Sequence, residues 1–265
     1  MSARPHRLSF QGPVKRAVFL LGMLTALAAG AYVLPGGSIL RRMVGAQDES
    51  MPSSLRVEGT WVFSGSGVKE AAGALRVPFE RSELIADGAI LIKTPGRCRF
   101  ELSVPEGTRL AAVQASGRRR AEGAELAPLM AALSQLCPVL GVRASSDHDL
   151  ATRDAVEQHL QSLGIATRTT SLARFGGEVA YVLGEPEEGK PQFWIYKDGF
   201  RPARVRWKEK TGPAWDVRFI DYTSPATGEW MPRSLEVWRD GQRVLRFTAI
   251  KSDTRAALND KLFAP

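Results

Sequence analysis

Residues able to do covalent or metal chemistry are few in this chain. Its three histidines are His6, His148 and His159, and His148 lies within the triplet Asp147-His148-Asp149. Two carboxylates and an imidazole could hold a cation, but no second His stands at ligand spacing on the same helix face, so a solvated loop is expected. Ser64-Gly65-Ser66-Gly67 lacks the Gly-x-Ser-x-Gly form that lifts a nucleophile onto a strained turn, and reads as a flexible hairpin. Neither a phosphate-cradling glycine loop nor a Cys-x-x-Cys pair occurs. Glu185, Glu187 and Glu188 flank Pro186 and Gly189 and read as a solvated loop, and Arg118-Arg119-Arg120 as an exposed turn. The residue types point away from an enzyme: no catalytic residue, metal ligand set or cofactor is expected.

What remains is the chemistry of burial. Trp61, Phe63, Ile90, Ile92 and Phe100 fall on the apolar phase of alternating segments, and Leu129, Met130 and Leu133 on an apolar stripe spaced by three and four. Together they make either an ordinary core or the wall of a site for acyl chains, where each buried CH₂ is worth about 0.8 kcal/mol. The two cysteines join these sets. Cys98 shares the phase of Phe100 and Leu102, while Cys137 lies four residues after Leu133 and seven after Met130. Both therefore face the space between sheet and helix, as a disulfide or as two buried thiols. A bond there would stabilise by about 4 kcal/mol and restrict movement of the helix.

The elements that must position these residues follow an N-terminal address. The 265 residues carry 36 Lys+Arg against 28 Asp+Glu, a net charge of +8. Residues 1–46 hold six of the basic side chains (Arg4, Arg7, Lys15, Arg16, Arg41, Arg42) and no acidic one, leaving +2 on residues 47–265. So small an excess argues against nucleic acid as a partner. Lys15-Arg16 precede an uncharged apolar run over 17–34, and Pro35-Gly36-Gly37 follow it, the form of an export signal. Cleavage is expected among the small residues at 28–31 or after Val44-Gly45-Ala46; uncleaved, the run would anchor the chain in the inner membrane. No Cys follows the run to carry a lipid. Residues 1–46 are thus read as signal peptide or anchor, and 47–265 as a single exported domain in an oxidising compartment, the periplasm.

Within that domain the dominant period is two. Leu55, Val57, Gly59, Trp61 and Phe63 alternate with Arg56, Glu58, Thr60 and Val62, Ile90 and Ile92 with Leu91 and Lys93, and, after Pro95-Gly96, Cys98, Phe100 and Leu102 with Arg97, Arg99 and Glu101. Later strands are expected over 169–175, 178–183, 192–197, 203–208, 215–222, 233–239 and 242–250, with Asp240-Gly241 a strong hairpin signal. A helical insert over about 124–164 interrupts them, its first helix carrying Leu126 to Leu140 and its second running from about Thr152 to Leu163, with Gly164 as the stop. Short strands in series with tight turns imply a mainly β, α+β fold in which an antiparallel sheet curls into a barrel or sandwich.

Residues 88–107, GAILIKTPGRCRFELSVPEG, resemble a hallmark of the periplasmic outer-membrane lipoprotein carrier family, the LolA/LolB-like superfamily. YVLGEP, FWIYKDGFRPARVRW, WDVRFIDY and the closing LNDKLFAP are similar in kind and in order. The resemblance implies an incomplete, strongly curved antiparallel β-barrel with a helical lid over an apolar cavity. That cavity would take acyl chains of lipoproteins, or other lipids or a regulatory partner in relatives. Three departures mark a divergent member. Thr94 stands where the carriers have an Arg tied to lid closure, with Lys93 and Arg97 as the nearby basic residues of the loop; an opening helix is not evident before Leu55; and a lipidated N-terminal Cys is lacking.

The expected function is that of an exported lipid- or lipoprotein-binding protein which holds acyl chains beneath the lid, associating transiently with membranes. The alternative is an envelope sensor or scaffold that binds a protein partner on the same fold. A lipid hydrolase is the weakest reading, since no triad or metal set supports it.

Overall fold

The structure is a computed structural model that describes residues 33–78, 82–105, 109–115, 118–121, 127–140, 149–228 and 231–264. The chain divides into two compact units, Met1–Val33 and Leu34–Pro265, and all the described residues but Val33 belong to the second. The apolar run up to residue 32, His6, Asp147, His148 and Leu126 lie outside the described residues.

Helix α1 (Gly36–Ser50) comes first. Ile39, Leu40, Met43, Val44 and Gln47, spaced to fall on one helical face, are all buried. The boundary expected between residues 46 and 47 falls inside this helix, so an opening helix is present where the sequence pattern suggested none. Strand β1 (Ser54–Ser64) alternates buried and half-buried positions along its whole length. Ser66 then opens α2 (Ser66–Leu75) rather than a hairpin, after Gly65 takes a φ of 52°.

Strands β2 (Glu83–Lys93), β3 (Arg97–Ser103), β4 (Leu110–Ala115) and β5 (Arg118–Ala121) follow. The helical insert holds α3 (Ala127–Ser134), α4 (Cys137–Leu140) and α5 (Asp149–Ser162). Seven strands complete the chain: β6 (Thr170–Phe175), β7 (Glu178–Gly184), β8 (Gln192–Tyr196), β9 (Pro202–Lys208), β10 (Ala214–Ile220), β11 (Ser234–Arg239) and β12 (Gln242–Asp253). Asp240 and Gly241 both take left-handed φ, 50° and 79°, as a tight hairpin turn demands.

Among the described residues, twelve strands form one antiparallel sheet in the order β5-β4-β3-β2-β1-β12-β11-β10-β9-β8-β7-β6. This corrects the barrel expected above. The order is linear, β5 and β6 are free edges, and the sheet is neither closed nor strongly curled. Among the described residues between those edges, the chain forms α3, α4 and α5 and no further strand. Strand β5 is also only four residues long and carries consecutive arginines, which blunts an edge against pairing. Arg118 to Arg120 thus belong to an edge strand rather than to a turn.

The two faces of the sheet differ. One takes α2 against β1, β2 and β12, and α3 against β3, β4 and β5. On the opposite face, Ala89, Leu91, Val113 and Ala115 are covered by Leu258 and Phe263 of the C-terminal segment. That segment ends in a 3₁₀ turn, Asp260–Phe263, capped by the Asn259 side chain, which accepts from Lys261 N.

Candidate functional site

The helix-covered face is built by register. Val57 pairs with Ile90 and Ile90 with Phe100; Leu55 pairs with Ile92 and Ile92 with Cys98; Trp61 pairs with Phe247. Period two then sends all of these side chains to one face. Trp61, Phe63, Ile90, Ile92, Phe100, Met130 and Leu133 are fully buried and Leu129 is 1% exposed. The Trp61 ring centroid lies 4.5 Å from that of Phe247 and 6.4 Å from that of Phe100. Its Nε1 donates to the Glu101 carbonyl at 2.9 Å, so the indole is satisfied as well as buried.

The same face continues across the later strands. Phe193 pairs with Val205 and Val205 with Val217; Trp207 pairs with Trp215; Phe219 pairs with Leu235 and Leu235 with Phe247. Each of these side chains is at least 95% buried. The result is one apolar sheet face, covered over β1–β5 and β12 by separate short helices.

Cys98 and Cys137 form a disulfide with a Cα–Cα distance of 5.7 Å. It ties the start of α4 to β3 and so fixes the helical roof to the sheet at a defined point. Helix α1 adds a second tie. It packs along α5, and Gln47 Nε2 donates to the Val139 carbonyl of α4 at 3.1 Å.

Lys93 and Arg97 pair across β2 and β3 on the other side of the sheet, the phase opposite to Ile92 and Cys98. Lys93 Nζ lies 2.7 Å from Asp260 Oδ1 and donates to the Leu258 carbonyl at 3.0 Å. Arg97 Nη1 lies 2.7 Å from the same Asp260 oxygen, and its guanidinium carbon sits 5.9 Å from the Phe263 ring centroid. The hydrogen bond from Lys93 and then its charge, with help from Arg97, hold the Asp260 carboxyl below its ordinary pKa. The loop between them contains a cis Thr94–Pro95 peptide, and Thr94 N and Oγ1 both donate to the Ser53 carbonyl. The structure therefore groups the eight apolar candidates with the disulfide, and groups the two basic candidates with the C-terminal segment.

A further constellation escaped the sequence reading. On the face opposite the helices, Arg204 is bound to Asp216 at 2.7 and 2.5 Å, and Arg218 reaches Asp216 at 3.1 Å. Arg218 lies 4.0 Å above the Trp238 ring and Arg204 5.5 Å from that of Trp194. Glu236 takes Arg243 at 3.3 Å and accepts from Trp238 Nε1. Burial, then the neighbouring Arg204 charge, pushes the Arg206 guanidinium below its ordinary pKa. Alternation does place these residues outward, but which Arg meets which carboxylate is a matter of register between strands. Below them, Tyr196 donates to the Phe219 carbonyl at 3.3 Å, and burial raises its phenol to about 12.

Among the described residues, no group of three or more His, Cys, Asp or Glu is placed to hold a metal ion. Among them too, no helix is long and apolar enough to cross a membrane. His159 lies on α5 with Nε2 2.8 Å from the Gln135 carbonyl, a bond between α5 and the end of α3.

Neither a family model nor a curated protein matches the chain. Among solved structures, it is similar to a LolA superfamily protein from Nitrosomonas europaea, at 13% identity and a TM-score of 0.46, over 88% of this chain and 99% of that one. It is also similar to a candidate outer membrane lipoprotein-sorting domain from Vibrio parahaemolyticus, at 11% identity and a TM-score of 0.40, over 84% and 94%. A third likeness is to MucB in the MucA/MucB complex of Pseudomonas aeruginosa, at 18% identity and a TM-score of 0.30, over 87% of this chain and 61% of that one. At these identities and TM-scores the likenesses carry neither a family nor any residue's role across to this chain.

Proposed function

We propose that this chain is an exported periplasmic binding protein that holds acyl chains of lipids or lipoproteins between its apolar sheet face and its helical roof. Cargo would enter as the helices part from the sheet and would replace side-chain contacts with buried methylenes, each worth about 0.8 kcal/mol. The supporting observation is the roof itself. Trp61, Phe100 and their neighbours are covered by short separate helices, with one disulfide tying α4 to β3, rather than by a second sheet. Helices of four to fourteen residues can shift as units at a smaller cost than a hydrogen-bonded sheet.

The experiment is mass spectrometry of lipids extracted from protein purified from its native envelope. Acyl cargo that co-purifies with the protein and is lost in a Leu133→Glu variant that still unfolds cooperatively is the expected result. An empty protein that retains a stoichiometric protein partner would replace this reading with the second one, an envelope sensor or scaffold. What favours that second reading is β6, the edge strand opposite the arginine-bearing β5, to whose outward backbone groups a partner's strand could be added.

A further inference from the structure

The sequence offers two processing points, and one of them falls within a packed helix. Val44-Gly45-Ala46 lies just past the middle of α1. Cleavage after Ala46 would remove Ile39, Leu40, Met43 and Val44, each at most 1% exposed. It would also strip the partner from α5, whose Val156 and Leu160 are buried. Cleavage among residues 28–31 would leave every one of these contacts in place.

The contacts of α1 are spread over distant parts of the fold. At its start, Gly36 lies so close to the Thr167 carbonyl that a Cβ would overlap it, a fit only glycine allows. In its middle, the Arg42 guanidinium sits 5.5 Å from the Phe200 ring centroid, and that ring stacks on Tyr181 of β7 at 5.8 Å. Near its end, Gln47 bonds to Val139 of α4, the helix whose Cys137 is joined to Cys98 of β3. One helix thus links the β6–β9 half of the open sheet to the β1–β5 half. The two halves are already joined through the β1–β12 pairing, and α1 adds a second tie that holds both of them to a common roof.

We infer that α1 is retained in the native protein as the strap joining the two halves of the sheet across the helical roof, so that the N-terminal segment is processed upstream of Leu34 or not at all. This does not depend on whether the occupant is an acyl chain or a protein, and its test is separate from the test of that reading. N-terminal sequencing and intact mass of protein purified from its native envelope should find a first residue at or before Leu34. A first residue from Pro35 to Gln47 would overturn the inference.

The strap role has its own readout in the full chain. Leu40→Ala should raise amide hydrogen exchange in α4 and α5 by about tenfold or more while β10 and β11 keep their protection. Unchanged exchange in α4 and α5, or an equal rise in β10, would overturn it.

Discussion

Lys93 and Asp260, separated by 167 positions in the chain, meet at 2.7 Å on the face of the sheet that the helices do not cover. Arg97 shares the same carboxylate oxygen, and Arg99 Nη1 donates to the Leu262 carbonyl at 3.3 Å. Three basic side chains from the β2–β3 hairpin therefore hold the C-terminal segment over Ala89, Leu91 and Val113. Polar ties at the rim and the Phe263 side chain at the centre divide the work: charge fixes the position, and burial supplies most of the stabilisation.

The pH dependence of this strap follows from Asp260. Its folded pKa is lowered, so the tie is present above the ordinary carboxylate value of 3.8 and is lost as pH falls through the lowered one. Hydrogen exchange across residues 256–263 should accelerate on going from about pH 5 to about pH 2.5, beyond the intrinsic change in rate. Asp260→Asn should show the faster, acid-like exchange already at about pH 5. Equal protection in the variant and the parent would reject the tie.

Two glycines should respond in opposite directions. A Cβ on Gly88 would strike the Glu101 carbonyl and the Trp61 indole nitrogen, the two groups that bond to each other. Gly88→Ala should therefore cost about 1–3 kcal/mol in chemical denaturation and shift Trp emission to the red. Gly45, inside α1, has open space around its Cβ position. Gly45→Ala should raise stability by about 0.5–1 kcal/mol, through helix propensity, provided that α1 is present in the purified protein.

Replacing both Cys98 and Cys137 by Ala should lower the stability of the domain by about 4 kcal/mol on chain entropy. Denaturant midpoints measured with and without reductant check this. Reductant should lower the midpoint of the parent and leave that of the double variant in place.

Asp216 binds both Arg204 and Arg218, with Arg206 close enough to feel the charge of both arginines. Asp216→Asn should cost about 2 kcal/mol, because Arg204 and Arg218 then lose the carboxylate that both of them bind. Added salt screens the repulsion between their charges, so the gap between variant and parent should narrow as ionic strength rises. A gap independent of salt would show that geometry rather than charge is lost.

Much of this molecule is local pattern and was legible. Alternation placed Trp61, Phe63, Ile90, Ile92 and Phe100 on one face, and the same phase set Cys98 toward Cys137, slightly favouring the disulfide that joins their Cα atoms at 5.7 Å. Asp240-Gly241 forms the hairpin turn its residue types imply. Less legible was α1, whose stripe of Ile39, Leu40, Met43, Val44 and Gln47 follows so closely on the apolar run 17–34 that it merged with the export signal. Strand β4 was missed as well, because Leu110–Ala115 is buried at every position and shows no alternation.

The sequence by itself determined where the chain is extended, where it turns and which side chains share a face, since periods of two and of 3.6 are properties of neighbouring residues. Tertiary structure alone decided that the sheet stays open and that Lys93 and Arg97 turn to the C-terminal segment. Whether β5 meets β6, or Lys93 meets Asp260, depends on the sum of twist, register and helix placement across more than a hundred residues. No local pattern encodes that sum.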